Sequence, residues 1–187
     1  MREIVAHLIV TLDGVVKFGA AQGAVLRMSS GNAAKEMARQ LTQEDAMLLG
    51  RTTYEEWSQF WPASRIQPFA DHINTVSKYV VSRSLKVAPW GATGRATVLS
   101  GDFRRAVLKL KAQRGKTIGV HGSPSLVRSL LRNNLLDRLQ LFLMPIVAGT
   151  GARLFEGEFA PQTMKAVGLV RNRNGVLAIT YRPTGRL

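Results

Sequence analysis

The chain reads as an α/β protein built on a mostly parallel sheet, with an antiparallel addition at its C-terminal end. Three observations predict this. Short apolar runs recur with helical patterns between them, the spacing of βαβ units. Several runs are apolar throughout rather than alternating, as strands covered on both faces must be. Near the C-terminus two runs flank Asn172-Arg173-Asn174-Gly175 with no helix between them, which marks a hairpin.

Residues 3–12 are apolar enough for a buried first strand. From Asp13 to Gly31 four glycines and weak periodicity predict a long mobile loop. Asn32 can cap a helix running to about Leu41, with Ala34, Met37, Ala38 and Leu41 on one face. Ala46–Leu49 is the next strand, and residues 52–60 form a helix ending near Trp61-Pro62. Trp61 to Asn74 reads as a loop or irregular helix. Lys78–Ser82 and Ala96–Leu99 are short strands. Asp102 caps a helix over 103–114 with Phe103, Val107 and Leu110 inward. Thr117–Val120 is a strand, and Ser123 starts a helix through about Arg132. Leu139–Val147 is a long strand, and 164–171 pairs with 176–182. Repeats, low-complexity tracts and interdomain linkers are absent, so residues 1–187 are expected to form one domain.

Composition narrows the function. Apolar residues make up 45% of the chain, enough for a substantial core, and no apolar segment approaches the roughly 20 residues that span a bilayer. Met1-Arg2-Glu3 leads straight into the first strand without a signal-peptide pattern, which makes a cytoplasmic location the expectation. Cysteine is absent, which excludes disulfides, thiolate catalysis and zinc–thiolate sites; no metal is expected. The formal charge of +14 is unevenly spread. Residues 1–93 carry 10 Lys/Arg against 8 Asp/Glu, and residues 94–187 carry 16 against 4. Such a field attracts polyanions. The basic residues are dispersed and not interleaved with aromatics, however, so a basic proteome style or attraction of a phosphorylated cofactor explains the charge as well, and nucleic-acid binding is not expected as the main function.

Four segments fall where strand ends would meet: Thr11-Leu12-Asp13-Gly14, Gly50-Arg51-Thr52-Thr53, Val80-Val81-Ser82-Arg83-Ser84 and Val120-His121-Gly122-Ser123. Glycine, hydroxyl and Arg groups at the carboxyl ends of parallel strands suit a dinucleotide with an extra phosphate. In the second segment Gly50 permits close approach, Arg51 offers a fork of donors, and Thr53 can cap the helix or meet a phosphate oxygen. In the third, Arg83 between Ser82 and Ser84 is a cluster able to hold a ribose 2′-phosphate, favouring NADPH over NADH.

These motifs, in this order, resemble the dihydrofolate-reductase-like superfamily. They are most similar to its branch built like the reductase domain of the bacterial bifunctional riboflavin-biosynthesis deaminase/reductase. The matching residues are Thr11-Leu12-Asp13-Gly14, Leu49-Gly50-Arg51-x-Thr53-Tyr54, Val81-Ser82-Arg83 and Gly122-Ser123. The run Leu136-Asp137-Arg138-Leu139-x-Leu141, Pro145-Ile146-Val147-x-Gly149-x-Gly151 and Leu154-Phe155 matches as well. The resemblance covers about residues 3 to 182 and implies a three-layer NADPH-dependent reductase fold. It places Arg51 and Thr53 against phosphates, Ser82 and Arg83 against the 2′-phosphate, and Gly122 and Ser123 against the pyrophosphate. Asp13-Gly14 should border the nicotinamide. The implied substrate is a small heterocycle such as a pterin or flavin precursor.

The chain also departs from the family. It has none of the cysteines of the deaminase signature, so it cannot carry out that step. Folate-reducing members place a carboxylate on the helix after the first loop, where Glu36 is the only acid here. Arg138 stands where an acid commonly follows Asp137, and His121 where a second Gly often occurs. Asp13 is the candidate to orient substrate or relay a proton, with an Asp-Gly turn as the alternative. His121 is a cofactor contact or proton donor, or a strand-end histidine held by hydrogen bonds; His7 reads as a satisfied core histidine. Trp57, with Phe60 and Trp61, can wall a flat ring or simply fill core. The competing function is a nucleotide or nucleic-acid binder that kept the fold without the chemistry. A homodimer is expected, because the long strand and C-terminal hairpin could leave apolar surface to cover.

Overall fold

The computed structural model describes residues 1–158 and 160–186. Its first strand, β1 (Ile4–Thr11), is followed by a 3-10 turn over Gly19–Ala21 and by helices α1 (Gln22–Met28) and α2 (Asn32–Leu41). Strand β2 (Glu44–Gly50) runs directly into α3 (Arg51–Phe60), and α4 (Phe69–Thr75) leads to β3 (Ser77–Val81). A small hairpin, β4 (Pro89–Trp90) with β5 (Gly94–Arg95), precedes β6 (Thr97–Leu99). Then come α5 (Phe103–Lys111), β7 (Thr117–Val120), α6 (Pro124–Arg132) and β8 (Arg138–Met144). The chain finishes with β9 (Gln162–Arg171) and β10 (Leu177–Arg186).

Eight strands form one sheet in the order β6-β3-β2-β7-β1-β8-β10-β9. From β6 to β8 every neighbour is parallel; β10 runs antiparallel to both β8 and β9. The mostly parallel sheet with an antiparallel C-terminal addition is therefore present. The central parallel strands β1, β2 and β7 are buried on both faces. In β1, Ile4, Ala6 and Leu8 join Leu48, Ile118 and Val120 in a continuous core beneath α5 and α6, to which Val107, Leu110, Val127 and Leu130 contribute. Each such fully buried aliphatic side chain stabilises the fold by about 1.5–3 kcal/mol. On the opposite face the apolar material divides in two. Met47, Leu49 and Val80 pack with Tyr54, Ile73 and Trp90 on one side. Phe142, Met144 and Val176 pack with Val25 and Ala33 on the other. The central strands lie between these clusters.

Several sequence expectations are corrected. The stretch after Asp13 is not a long loop: it contains α1, anchored by the single buried residue Val25. One buried position in seven gives no periodicity to read. The α2 helix begins at Asn32 rather than being capped by it, and Ala33, not Ala34, is its fully buried alanine. Of the stretch read as a loop or irregular helix, residues 61–63 form a 3-10 turn and residues 69–75 a helix, and the β4–β5 hairpin escaped notice because its strands are two residues long. Asp102 does cap α5, accepting the Arg105 N–H at 2.6 Å. On the edge strand β9, Val167, Leu169 and Val170 are exposed, the kind of surface on which the homodimer expectation rests. No helix among the described residues is long and apolar enough to cross a membrane.

Candidate functional site

Where the opposite-face core divides, a cavity of about 600 Å³ opens above the middle of the sheet. Its walls are apolar: Trp57 and Trp61 from the α3 side, Phe18 and Met37 from the α1–α2 side, with Phe142 from β8. Trp57 meets Trp61 edge-on, 5.6 Å between centroids. The Trp61 indole N–H is buried without a hydrogen-bond partner among the described residues, an unmet donor on this wall. Lys17 and Glu56, which also line the cavity, approach to 3.4 Å and link the loop after β1 to α3.

Polar groups from four adjacent strands meet at this place in the sheet. Glu44 of β2 is buried, and its carboxylate accepts from His121 Nε2 at 3.0 and 3.1 Å and from His72 Nε2 at 3.0 Å. The space it fills is the missing side chain of Gly119 in β7, where a Cβ would collide with the carboxylate. His121 stacks on His7 of β1, 5.2 Å between centroids, and tilts against Trp57 at 5.8 Å. His7 Nδ1 bonds to Gln140 Oε1 of β8 at 2.8 Å, the residue opposite it in register. All three histidines of the chain thus belong to one network. Burial pushes the Glu44 carboxyl up, but the charge and hydrogen bond of His121, the hydrogen bond of His72 and the His7 charge outweigh this and bring it down to about 2. Burial, reinforced by the His121 charge, pushes His7 down to about 4, so it is neutral near pH 7. Its Nδ1–H then donates to Gln140.

That depression has a measurable sign. Between pH 6.5 and 4 an unfolded chain binds a proton at His7 that the folded chain refuses, so acidification through this window destabilises the fold. The expected contribution is about 3 kcal/mol. Denaturation midpoints of the wild type and His7→Gln, followed from pH 7 to 4, should diverge: the variant should lose less. Parallel curves would show that His7 titrates alike in both states.

The sequence-predicted cofactor residues lie along the carboxyl ends of β7, β2 and β3, which are neighbours. Gly50 N–H donates to Gly122 O at 3.3 Å, and a Cβ at Gly50 would strike Ser123 Oγ, so the two turns touch. Gly122 has φ +139°, followed by a cis peptide to Ser123; a Cβ there would sit 2.8 Å from Thr53 Oγ1. Thr53 is buried and, with Gly122 and Trp57, lines the cavity. Arg51 is exposed and 3.4 Å from Glu55 one turn on. The helices starting at Arg51 and Pro124 have no side-chain cap at their N-termini. Their free N–H groups and positive dipole ends suit an anion.

Ser82 is buried, and its Oγ accepts from Ser84 N and Leu85 N at 3.2 and 3.1 Å, shaping the turn after β3. Arg83 projects from that turn, exposed and without a partner among the described residues. It stands two strands from β7, about 10 Å. These donors fit a phosphorylated dinucleotide: neutral N–H groups near the cavity and a free guanidinium further out.

Asp13 is placed differently from the expected proton relay. Its carboxylate accepts from Thr11 Oγ1 at 2.6 Å, Ala148 N at 3.0 Å and Gly149 N at 2.9 Å. The Thr11 and Ala148 bonds above all hold it down to about 2. A carboxylate so committed ties the end of β1 to the loop after β8, and it is not among the cavity-lining residues. Glu36, the acid of α2, is bound to Arg39 and Gln40. Sequence reasoning missed Glu44 and Gln140. For Gln140 the available signal was a lone polar residue in an apolar run, Leu139-Gln140-Leu141; Glu44, between Gln43 and Asp45, gave none.

A parallel sheet with an antiparallel C-terminal extension and a cleft at its centre is the architecture of dihydrofolate-reductase-like proteins. Consistently, the chain superimposes on a dihydrofolate reductase of Enterococcus faecalis complexed with NADP(H) and RAB-propyl, with a TM-score of 0.59, 15% identity, and coverage of 98% of this chain and 96% of that one. A protein of Shewanella sp. PV-4 named for riboflavin biosynthesis superimposes with a TM-score of 0.79 at 16% identity, over 97% of this chain and 99% of its own. Within that architecture the chain belongs to the RibD C-terminal domain family, whose model matches residues 2–178. Among its relatives is the uncharacterised protein YyaP of Bacillus subtilis (strain 168), 28% identical over 98% of this chain and 96% of YyaP.

Proposed function

We propose that the protein is an NADPH-dependent reductase that delivers hydride to a small heterocycle, of the pterin or flavin-precursor kind. One observation carries the reading: two uncapped helix N-termini at touching strand ends adjoin an aromatic-walled cavity sized for a fused ring. The E. faecalis neighbour complexed with NADP(H) and the RibD family membership support it.

Bound dihydronicotinamide would supply hydride. The chain's own work is to bind, orient and exclude water. The N–H groups opening α3 and α6, with Gly122 and Ser123, would receive the pyrophosphate, and Arg51 would add positive charge beside it. Arg83 would take the 2′-phosphate, with the Ser82 and Ser84 hydroxyls alongside. Trp57 and Phe142 would hold the acceptor ring flat between them, keeping the reacting atoms in a near-attack geometry.

Fluorescence titration with NADPH and with NADH tests the reading. Saturable binding that prefers NADPH is expected, and Arg83→Ala should erase most of that preference, weakening NADPH by about tenfold while sparing NADH. Equal losses for both would remove the 2′-phosphate assignment. Binding to neither, with strongly salt-dependent binding to a polyanion instead, would favour a non-catalytic binder that uses the basic C-terminal half.

A further inference from the structure

We propose that the buried Glu44 fixes His121 as the group that gives a proton to a heterocycle in the cavity, so that the chain itself supplies the proton half of the reduction. This rests on the reductase reading above.

Both carboxylate oxygens of Glu44 face His121 Nε2, so that nitrogen carries hydrogen and its lone pair is not available. The other nitrogen, Nδ1, has no partner among the described residues, on a side chain that lines the cavity beside Trp57. A buried anion on one edge of an imidazole favours its charged form and leaves the opposite N–H aimed away from the anion. The other groups around this ring do not replace it. Neutral His7 spends Nδ1 on Gln140, His72 approaches Glu44 from α4 without lining the cavity, and Lys17 pairs with Glu56 near the mouth. Arg138, whose charge reaches His7, is bound to Glu3. Asp13 is committed to backbone N–H groups.

The step balances. As hydride reaches the carbon of a ring C=N bond, the π electron pair moves to nitrogen and takes the Nδ1 proton of His121. The Nδ1–H bond breaks, its electron pair stays on the ring, and His121 becomes the neutral tautomer that still donates Nε2–H to Glu44. Solvent then restores the proton.

The test uses the whole protein and lumazine, a fused-ring probe with acceptor nitrogens and carbonyls. Lumazine fluorescence gives affinity across pH 5 to 9 in the wild type, in Glu44→Gln and in His121→Gln. Wild-type affinity should drop about tenfold as pH rises and the ring loses its Nδ1 proton, the loss of one charge-assisted hydrogen bond, because the neutral tautomer keeps its hydrogen on Nε2. That drop should move to lower pH in Glu44→Gln and vanish in His121→Gln. A flat wild-type profile or no lumazine binding at any pH overturns the proposal without recourse to a variant, and a Glu44→Gln profile that coincides with the wild type's overturns it as well. NADPH titration in the same samples separates the two ideas. A pH-dependent lumazine site in protein that ignores NADPH leaves the imidazole donor standing and removes the reductase reading. NADPH binding with a flat lumazine profile does the reverse.

Discussion

Replacing Glu44 with Leu should destabilise the fold by about 3–5 kcal/mol at pH 6, the usual consequence of removing one partner from a buried charged pair. Leucine fills much of the same space, so little of the loss comes from a cavity. It arises because His121 and His72 keep their N–H groups but lose the acceptor both share. The size of the effect should therefore depend on pH. At pH 9, where imidazoles are neutral, the remaining cost is that of unsatisfied neutral donors, about 1–3 kcal/mol. Wild-type stability contributed by Glu44 has its own window: it is present above pH 4.5 and lost as pH falls toward 2. Urea denaturation of both proteins at pH 6 and pH 9 checks this. A deficit that is small at pH 6, or equal at both values, would mean that no charge is held there.

Gly122→Ala should impair the strand-end rim. At φ +139° an L side chain is strained, at a cost of about 1–3 kcal/mol, and the new Cβ would press on Thr53 Oγ1. Thr53 sits on the first turn of α3, so the push reaches the N–H groups proposed to hold phosphate. NADPH affinity should fall by at least about tenfold, as for one lost charge-assisted hydrogen bond. The loss should be shared equally by NADH, because both cofactors carry the pyrophosphate. This separates the rim from Arg83, whose removal should change the ratio between the two. A change in that ratio for Gly122→Ala, or no loss at all, would place the pyrophosphate elsewhere.

The rim was legible in the sequence because its residues are local: Gly50-Arg51-x-Thr53 and Gly122-Ser123 each lie within one strand-to-helix turn. The floor was not. Glu44, His121, His7 and Gln140 come from four strands whose spatial order, β2-β7-β1-β8, differs from their chain order. No window of sequence contains two of them. Glu44 also lies two residues ahead of the apolar core of its strand, outside the run Ala46–Leu49 that announces it. Asp13 was singled out as a polar group at the end of β1 that could orient substrate or relay a proton, with an Asp-Gly turn as the alternative; its carboxylate accepts from the backbone of residues 148 and 149, a contact between neighbouring strand ends that local sequence does not encode. Among the elements, α5 was readable through Asp102 and its inward Val107 and Leu110, whereas α1 offered only Val25.

The pairing of Glu44 with Gly119 has a consequence for how this chain can diverge. The carboxylate occupies the volume that any side chain at 119 would claim, so the two positions behave as one unit of inheritance. A side chain gained at 119 beside an intact Glu44 would push the carboxylate off His121, and a shortening at 44 made first would leave His121 and His72 without their anion. Either order passes through a chain whose imidazoles have lost the acceptor they share.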